Sequence, residues 1–451
     1  AQQPDVITTG VTTTGVTTTV GPQTPIYVQT TDDMPTNGHV KETYAYENGH
    51  SYHNGHVQEA RQELTRPQLQ PEQRTEERSN GLPVKAKSAP TTPAQAIGPW
   101  RPPQTQKSNL SPKQQQHLDA LIARYNARTH RSKELTQRFR PVLADSRVVV
   151  GFRASVKEMT YPIVGERGQG AHFWDVDGNE YIDLTMGFGV LLFGHAAPFL
   201  QQALIEQHQL GVELGPQFTL AGEVAELVAE LTGMERVTFC NSGTEAVMAA
   251  IRLARAATGR TKIAHFAGSY HGHSDMTLGM ATDGNNDPRA TSFLPGISPN
   301  IMADALVVEY GNMHSLEIIR AHAHELAAVL VEPIQSRRPE LQPVEFVHAL
   351  RQLTEETGII LIFDEMISGF RIHPGGAQAW YGVKADLATY GKIAGGGMPI
   401  GIIAGKASIM NYIDGGMWQY GDDSVPSKET VFFGGTFCKH PLAMATAKAA
   451  L

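Results

Sequence analysis

Short apolar runs alternate with longer amphipathic stretches along the chain from about residue 237 onward. The runs at 263–267, 327–331 and 359–363 have the length and aliphatic content of buried strands, whereas residues 344–356 carry apolar positions at helical spacing. This alternation predicts a mainly parallel β-sheet flanked by helices, with ligands bound beyond the carboxyl ends of the strands. We therefore predict an α/β fold.

A helix is predicted near the start of this patterned region. Ser111 is a favourable N-cap residue, and Pro112 suits the first helical position. The apolar residues that follow on one helical face are Leu118, Leu121, Ile122 and Tyr125. We interpret residues 110–145 as a docking helix region whose apolar stripe packs against another surface.

A β-hairpin is predicted over residues 173–181, with its turn at Asp177 and Gly178. The spacing of Asp175, Asp177 and Asn179 is also that of the start of a calcium-binding loop. No glutamate occupies the closing position of such a loop, so we favour the hairpin.

The first part of the chain has a different composition. Residues 1–109 are rich in Thr, Gln, Pro, Asn and His, and the first Phe is Phe139. Such a segment buries too little apolar surface to offset the entropy lost on ordering. We predict that residues 1–109 are a disordered linker.

Charge and cysteine content exclude several classes of protein. A net charge of −8 argues against nucleic acid or an anionic membrane as a partner. Two cysteines are too few for a disulfide framework, and no apolar run approaches the roughly 20 residues that a membrane-spanning helix needs. We expect a cytoplasmic protein.

The segment 237–254 reads as a strand, a tight polar turn and a helix. In the turn, Gly243 allows close approach of the backbone to a ligand, and Ser242 and Thr244 offer hydroxyl groups. The free amides and the dipole of the first helical turn favour an anion at this place. An ordinary Ser or Thr helix cap is the alternative interpretation.

Lys392 precedes a cluster of glycines, and Asp364 ends the apolar run 359–363. A lysine can form an imine with the aldehyde of pyridoxal 5'-phosphate (PLP), and a buried carboxylate can hold a proton on the pyridine nitrogen of that cofactor. Together with a phosphate-binding turn upstream, the pair predicts a PLP site. Lys392 is then both the anchor and the catalytic base, and this role requires a lowered pKa.

At this point the sequence resembles the class III aminotransferases of PLP fold type I, and within them the glutamate-1-semialdehyde aminomutase branch. The segments that carry the likeness are 174–183, 241–246, 268–273, 364–371 and 389–397. The stretches 110–118 and 140–145 are similar to those found in aminotransferase domains of cyanobacterial hybrid polyketide and nonribosomal peptide synthases of the microcystin type.

The resemblance implies a domain organisation. Residues 146–451 are expected to form the PLP-dependent aminotransferase domain. The chain begins at Ala1 without an initiator Met and ends in a helix-forming run without a stop signal, and class III enzymes continue into a C-terminal small domain. We therefore expect a fragment with a truncated small domain.

Roles for further residues follow from the resemblance alone. Ser242, Gly243 and Thr244 would hold the phosphate, and Tyr270 would stack on the cofactor ring. Three more residues are expected at the cofactor on the same ground. They are Glu332, an acid close to it, Met366, which stands where the family often has Val, and Thr436, which would reach the phosphate of the neighbouring subunit in a homodimer.

Two other side-chain groups leave their roles open. His271 and His273 have a spacing that suits a metal, but the sequence offers no third ligand at workable spacing, so we predict no metal site. Arg371 matches the family as well, and the sequence does not assign it a role.

The function we favour is amino transfer from an amino acid donor, glutamate or glutamine, to a carrier-bound β-keto acyl thioester, beside other domains of a synthase. The alternative enzyme is a glutamate-1-semialdehyde 2,1-aminomutase, which shifts nitrogen within one substrate. A non-catalytic assembly scaffold is the third interpretation, and it is disfavoured because Lys392, Asp364 and the Ser242 turn are all present.

Overall fold

The computed structural model describes residues 110–149, 152–283, 287–292 and 294–451. The predicted linker over residues 1–109 lies outside these ranges. The helices are α1 Pro112–Arg128, α2 His130–Phe139, α3 Met186–Gly189, α4 Pro198–Leu210, α5 Thr219–Thr232, α6 Gly243–Thr258, α7 Pro299–Met302, α8 Met313–Ala321, α9 Val344–Thr357, α10 Gly376–Tyr381, α11 Ala407–Met410 and α12 Pro441–Ala450.

Two sheets are formed by the strands of the described part. The strands are β1 Gly165–Gln169, β2 His172–Asp175, β3 Glu180–Ile182, β4 Arg236–Cys240, β5 Lys262–Phe266, β6 Met280–Asp283, β7 Asp287–Thr291, β8 Ala305–Val308, β9 Leu326–Val331, β10 Ile360–Asp364, β11 Leu387–Gly391 and β12 Gly401–Gly405. The small sheet has the order β1-β2-β3, and the large sheet has the order β4-β12-β11-β10-β9-β5-β8-β7-β6.

The centre of the large sheet is parallel, as predicted. The strands β11, β10, β9, β5 and β8 pair in parallel. β12 is antiparallel to both β11 and β4, so β4 runs in the same direction as the central strands. The three predicted strands correspond to β5, β9 and β10, each displaced by about one residue, and α9 covers the predicted helix 344–356.

Helices cover both faces of the large sheet, so successive residues of one strand contact different helices. On β9, Val329 and Val331 pack in the core with α5, α8, α9, α10 and α12, whereas Ala328 and Leu330 pack in the core with α6. Every residue of β9 is buried. This explains why the central strands appear in the sequence as unbroken apolar runs.

The predicted N-terminal helix is present as α1, and the helix that follows it, α2, is held by the predicted hairpin. Ser111 caps α1 by accepting a hydrogen bond from the Gln114 amide at 3.3 Å. The hairpin turn supplies the cap of α2, because the carboxylate of Asp177 accepts hydrogen bonds from the amides of Arg131 and Ser132 at 2.8 and 3.1 Å. Asp177 is therefore more than a turn former.

The apolar stripe of α1 is only partly covered. No residue of α1 is fully buried, and Leu121 remains 38% exposed. The docking role of residues 110–145 stays a prediction. Within the described ranges, every helix is too short or too polar to cross a lipid bilayer.

Candidate active site

The carboxyl ends of β4, β5, β9, β10 and β11 lie at one edge of the large sheet, because these strands share one direction. The residues at and just beyond those ends surround a cavity of about 430 Å³. Eight of the nine predicted site residues line it, namely Ser242, Gly243, Thr244, Tyr270, Glu332, Asp364, Met366 and Lys392.

The start of α6 forms one end of the cavity and can bind an anion. Ser242 is the N-cap residue, and its hydroxyl accepts a hydrogen bond from the Glu245 amide at 3.3 Å. That bond leaves the amides of Gly243 and Thr244 as the first-turn donors for a ligand. The helix cap and the anion site are therefore compatible, and the same turn serves both.

The loop after β5 packs tightly on this helix start. The Thr244 hydroxyl accepts a hydrogen bond from the His273 amide at 3.3 Å. A Cβ atom at Gly272 would lie 2.4 Å from the Thr244 oxygen, and Gly272 has a φ of +85°. Glycine is required at this position on both grounds. The contact fixes the start of α6 relative to the loop that carries Tyr270.

Asp364 lies on the floor of the cavity, where its carboxylate is held by three groups. One oxygen lies 2.7 Å from Nδ1 of His271, and the side chains of this pair are 2% and 1% exposed. The other oxygen accepts hydrogen bonds from the Thr389 hydroxyl and the Met366 amide, each at 3.2 Å. A carboxylate held in this way is orientated for one further hydrogen-bond donor in the cavity.

His271 is the site residue whose role the sequence did not indicate. Its spacing from His273 suggests only a metal ligand, whereas the structure places it in direct contact with Asp364, 93 positions away along the chain. Among the described residues, no group of three or more His, Cys, Asp or Glu side chains is arranged to hold a metal ion.

Lys392 directly follows β11, and its backbone adopts a left-handed conformation with a φ of +46°. A non-glycine residue in this region costs about 1 to 3 kcal/mol and is typical of functional sites. Burial lowers the pKa of the Lys392 amine, although the carboxylates of Asp364 and Glu332 act in the opposite direction. The lowered pKa agrees with the predicted role of a base.

Glu332 connects two walls of the cavity. One of its carboxylate oxygens accepts a hydrogen bond from the Tyr270 amide, and the other accepts one from the Ser336 amide, both at 3.0 Å. Tyr270 itself lines the cavity and is 49% exposed. Glu332 is thus placed to set the position of the predicted stacking residue.

Met366 packs against the turn at the start of α6. A Cβ atom at Gly243 would lie 2.8 Å from its sulfur, and a Cβ atom at Gly391 would lie equally close. Glycine is therefore needed at position 243 for a second reason, because the Met366 side chain fills the space that a Cβ atom would occupy.

Arg371 supports the opposite rim of the cavity. Its guanidinium group donates hydrogen bonds to the backbone oxygens of Gly189 and, at 3.1 Å, of Ile367. Gly189 precedes Val190, which lines the cavity. Arg371 also contributes to lowering the pKa of Lys392, so its positive charge acts on the amine.

Thr436 is the predicted site residue that lies outside the lining of the cavity. It is exposed, in a segment without regular structure between α11 and α12. Its predicted contact with the phosphate of a neighbouring subunit stays a prediction.

The residues present fit PLP. The start of α6 offers amides for a phosphate, the Asp364 carboxylate suits a protonated ring nitrogen, and Lys392 offers an amine with a lowered pKa. This arrangement within a mainly parallel sheet defines the PLP-dependent enzymes of fold type I. The chain belongs to the class III aminotransferases, because the family model described as Aminotransferase class-III matches residues 153–451. Enzymes of this family depend on PLP.

Similar proteins agree with this assignment. The chain is 45% identical over 270 residues to a glutamate-1-semialdehyde 2,1-aminomutase from Chloroflexus aggregans, covering 58% of this chain and 60% of that relative. The structure is similar to that of an omega-transaminase from Sphaerobacter thermophilus, with a TM-score of 0.63, 35% identity, and coverage of 71% of this chain and 72% of that one. A beta-phenylalanine aminotransferase from Variovorax paradoxus gives a TM-score of 0.62 and 31% identity, with coverage of 74% and 72%.

Proposed function

We propose that the protein transfers an amino group between an amine donor and a carbonyl acceptor, with PLP as cofactor. The observation that carries the proposal is the convergence of Lys392, Asp364 and the start of α6 on one cavity. PLP, when bound, supplies an aldehyde that captures the amine and an aromatic ring that accepts the electron pair released at the carbon bearing nitrogen.

The side chains of this chain divide the work between them. Lys392, with its lowered pKa, removes and returns the proton at the carbon bearing nitrogen, and a positioned base of this kind contributes about 10² to 10⁴-fold. Asp364 would hold a proton at the ring nitrogen, in an orientation set by His271 and Thr389. The amides of Gly243 and Thr244 would bind the phosphate.

Replacement of Lys392 by Ala tests this assignment. The variant should lose at least about 10²-fold in turnover, because the base is removed. Lys384, an exposed lysine, provides the matched control, and Lys384→Ala should keep the parent rate. A Lys392→Ala protein with undiminished turnover would remove the basis of the proposal.

The curated relatives favour the aminomutase reading of the substrate. The chain spans about 60% of the length of the relative from Chloroflexus aggregans, which is named glutamate-1-semialdehyde 2,1-aminomutase. For this candidate function, glutamate-1-semialdehyde is converted without any external amine donor.

A second candidate substrate is a β-keto acyl thioester on a carrier domain of a synthase, with glutamate or glutamine as donor. It is favoured by residues 110–149, which lie outside the family match at 153–451 and nevertheless form helices tied to the hairpin turn. The exposed, partly apolar surface of α1 suits contact with a further domain.

One experiment separates the two candidate substrates. The protein is incubated either with glutamate-1-semialdehyde alone or with a carrier-bound β-keto acyl chain and glutamate, and the products are identified by mass spectrometry. Isomerisation of the semialdehyde without donor supports the aminomutase. A β-amino acyl product supports the synthase reading, and failure of both reactions contradicts the proposed amino transfer.

We also propose that the protein acts as a homodimer. The segment 414–440, called the exposed segment below, carries large apolar side chains that are open to solvent in the single chain, namely Met417, Tyr420, Val425, Phe432 and Phe437. Clusters of this kind mark surfaces that another molecule covers. Thr436 lies within the exposed segment, next to Phe437, and a partner covering this surface would bring its phosphate site close to Thr436.

A further inference from the structure

A second groove lies between α2 and the segment that leads into β1. It has a volume of about 300 Å³ and shares no lining residue with the cavity of the candidate active site. Its walls include Leu135, Phe139, Leu143, Val148, Ile163 and Val164. We call it the α2 groove. One of its walls, from residue 135 to residue 148, precedes the family match at 153–451, so the groove is an addition to the aminotransferase domain.

The wall formed by α2 carries a row of apolar side chains at helical spacing. Leu135, Phe139 and Leu143 follow each other at intervals of four residues. The Leu143 amide donates a hydrogen bond to the Phe139 backbone oxygen at 2.8 Å, so the helical turn continues past the end of α2. Rows of this spacing form the ridges that interdigitate with the ridges of a facing helix. The row therefore has the spacing that packing against another helix requires.

Within the single chain the apolar row is not covered. Leu143 is 58% exposed, Phe139 is exposed as well, and the neighbouring Val142 is 86% exposed. Apolar side chains that are contiguous and exposed mark surfaces that contact another molecule. The exposure of the row indicates a binding surface.

The charges around the α2 groove are mainly positive, although the chain as a whole is acidic. Residues 129–149 contain five Lys and Arg residues and two Asp and Glu residues, whereas the net charge of the chain is −8. Arg147 is neutralised by Asp145 at 2.7 Å. Arg138 and Arg140 form no ion pair with any carboxylate of the residues that the structure describes. Two unpaired arginines beside an apolar row favour a partner with acidic side chains.

We propose that the α2 groove binds an acidic amphipathic helix of another protein. The apolar face of that helix packs on the row Leu135, Phe139 and Leu143, and its carboxylates contact Arg138 and Arg140. Anchoring of an apolar helix face in a groove is a common mode of recognition between proteins. The site is independent of the proposed function, because none of these residues lines the cavity of the candidate active site.

Fluorescence anisotropy with the full chain tests the proposal. The probe is a fluorescein-labelled helical peptide of about 18 residues, or five turns, with leucine on one face and glutamate on the other. The parent protein should bind it with a micromolar dissociation constant. Leu143→Asp should weaken binding about 10- to 100-fold, because burial of one leucine side chain contributes this much.

Leu210→Asp, at an exposed leucine of α4, is the matched control and should keep the affinity of the parent protein. Failure of the parent protein to bind the peptide, or equal binding by Leu143→Asp, would overturn the proposal.

Reversal of charge tests the acidic face of the partner. Arg140→Glu should weaken binding of the glutamate peptide about tenfold, and it should strengthen binding of a peptide with lysine in place of each glutamate. Arg337→Glu, at an exposed arginine outside the groove, is the control and should change neither affinity. If the parent protein binds the lysine peptide as tightly as the glutamate peptide, the partner is not acidic and the proposal fails.

A cross-link identifies what occupies the groove. Benzoylphenylalanine replaces Leu143 in the full chain, the protein is irradiated with the glutamate peptide, and the products are mapped by mass spectrometry. The proposal predicts a cross-link to the peptide. A cross-link to residues 1–109 of the same chain, or to a second copy in a dimer that Leu143→Asp dissociates, would assign the groove to the protein itself and contradict the proposal. Aminotransferase activity enters none of these tests, so the binding site and the proposed function can fail separately.

Discussion

The cavity floor is formed by Asp364, His271 and Thr389. It differs from the exposed segment in how completely its side chains are buried and hydrogen-bonded within one chain. The floor side chains are buried, and the carboxylate of Asp364 has a partner on each oxygen. The exposed segment presents aromatic and aliphatic side chains to solvent, including Phe432 at 84% exposure. The comparison teaches that the buried side chains of the floor find their partners within one chain, whereas the apolar side chains around Thr436 stay exposed, as the proposed homodimer would require.

The strongest test of the floor is Asp364→Asn. An amide has nearly the same shape but no charge to hold a proton on the ring nitrogen, so kcat should fall about 10² to 10³-fold. Steady-state kinetics at saturating PLP measures the effect, and Asp386→Asn is unsuitable as a control because Asp386 forms ion pairs with Arg351 and Lys406. Glu226→Gln, at an exposed carboxylate on α5, should have no effect. Parent-level kcat in Asp364→Asn would show that the floor has no catalytic part.

His271→Phe removes the partner of Asp364 while keeping an aromatic ring. We expect a loss of about 10- to 100-fold in kcat, since outer hydrogen-bond partners have effects of this size. His273→Phe is the matched control, because the link from position 273 to Thr244 is made by the backbone amide. Equal losses in the two variants would assign the effect to general disturbance of the loop.

The sequence predicted the elements of the site that depend on local pattern. Strand ends and a strand-turn-helix motif can be recognised locally, and parallel strands bring such ends to one edge. The structure accordingly brings Ser242, Asp364 and Lys392 together around one cavity. The contact of His271 with Asp364 was not predictable, because it depends on how the loop after β5 lies over β10.

Two other contacts could not be predicted from the sequence, because they also join segments that are far apart in the chain. Asp177 caps α2 across 45 positions of sequence, and its Asp-Gly motif indicates only a turn. Arg371 binds the Gly189 backbone oxygen across 182 positions, which no local pattern specifies. Side chains that join distant segments require the three-dimensional arrangement, whereas side chains at strand ends can be located from the pattern of the strands.

Thr436→Ala tests the exposed segment. If Thr436 donates a hydrogen bond to the phosphate in the partner's site, the dissociation constant of PLP should rise about tenfold, as is usual for loss of one bond to a charged group. Equilibrium fluorescence titration with PLP measures it, and Thr258→Ala at the far end of α6 is the control.

A complementation experiment tests whether Thr436 acts in the site of the partner subunit. Co-refolded Lys392→Ala and Thr436→Ala chains form hybrid dimers in which one of the two sites combines an intact Lys392 with an intact Thr436. At limiting PLP, activity should exceed that of either variant alone. Absence of complementation, together with a monomeric mass by light scattering, would contradict the dimer.

A further expected effect, on stability and not on activity, concerns Glu365, the residue that follows Asp364 in the chain. Its buried carboxylate accepts hydrogen bonds from Ala377, Gln378 and Ser368, and burial raises its pKa from the usual 4.5 to about 7. The folded state then holds a proton that the unfolded state releases between these two values. The stabilisation of the folded state by this proton is therefore fully present below about pH 4.5 and is lost as the pH rises through about 7.

Glu365→Gln removes this titration while keeping an acceptor. Urea unfolding at pH 5 and pH 8 should show that the parent protein loses on the order of 2 kcal/mol more than the variant between these two pH values. Parallel pH profiles for the two proteins would show that Glu365 keeps its charge state on folding.

The central claim is that Lys392 is the residue to which PLP is bound. The most direct measurement is borohydride reduction of the protein with PLP, followed by proteolysis and peptide mass spectrometry. The account predicts a single pyridoxyl adduct on the peptide that contains Lys392, and no adduct on that peptide in a protein with Lys392→Ala. A specific adduct on another lysine, or none at stoichiometric PLP, would contradict it.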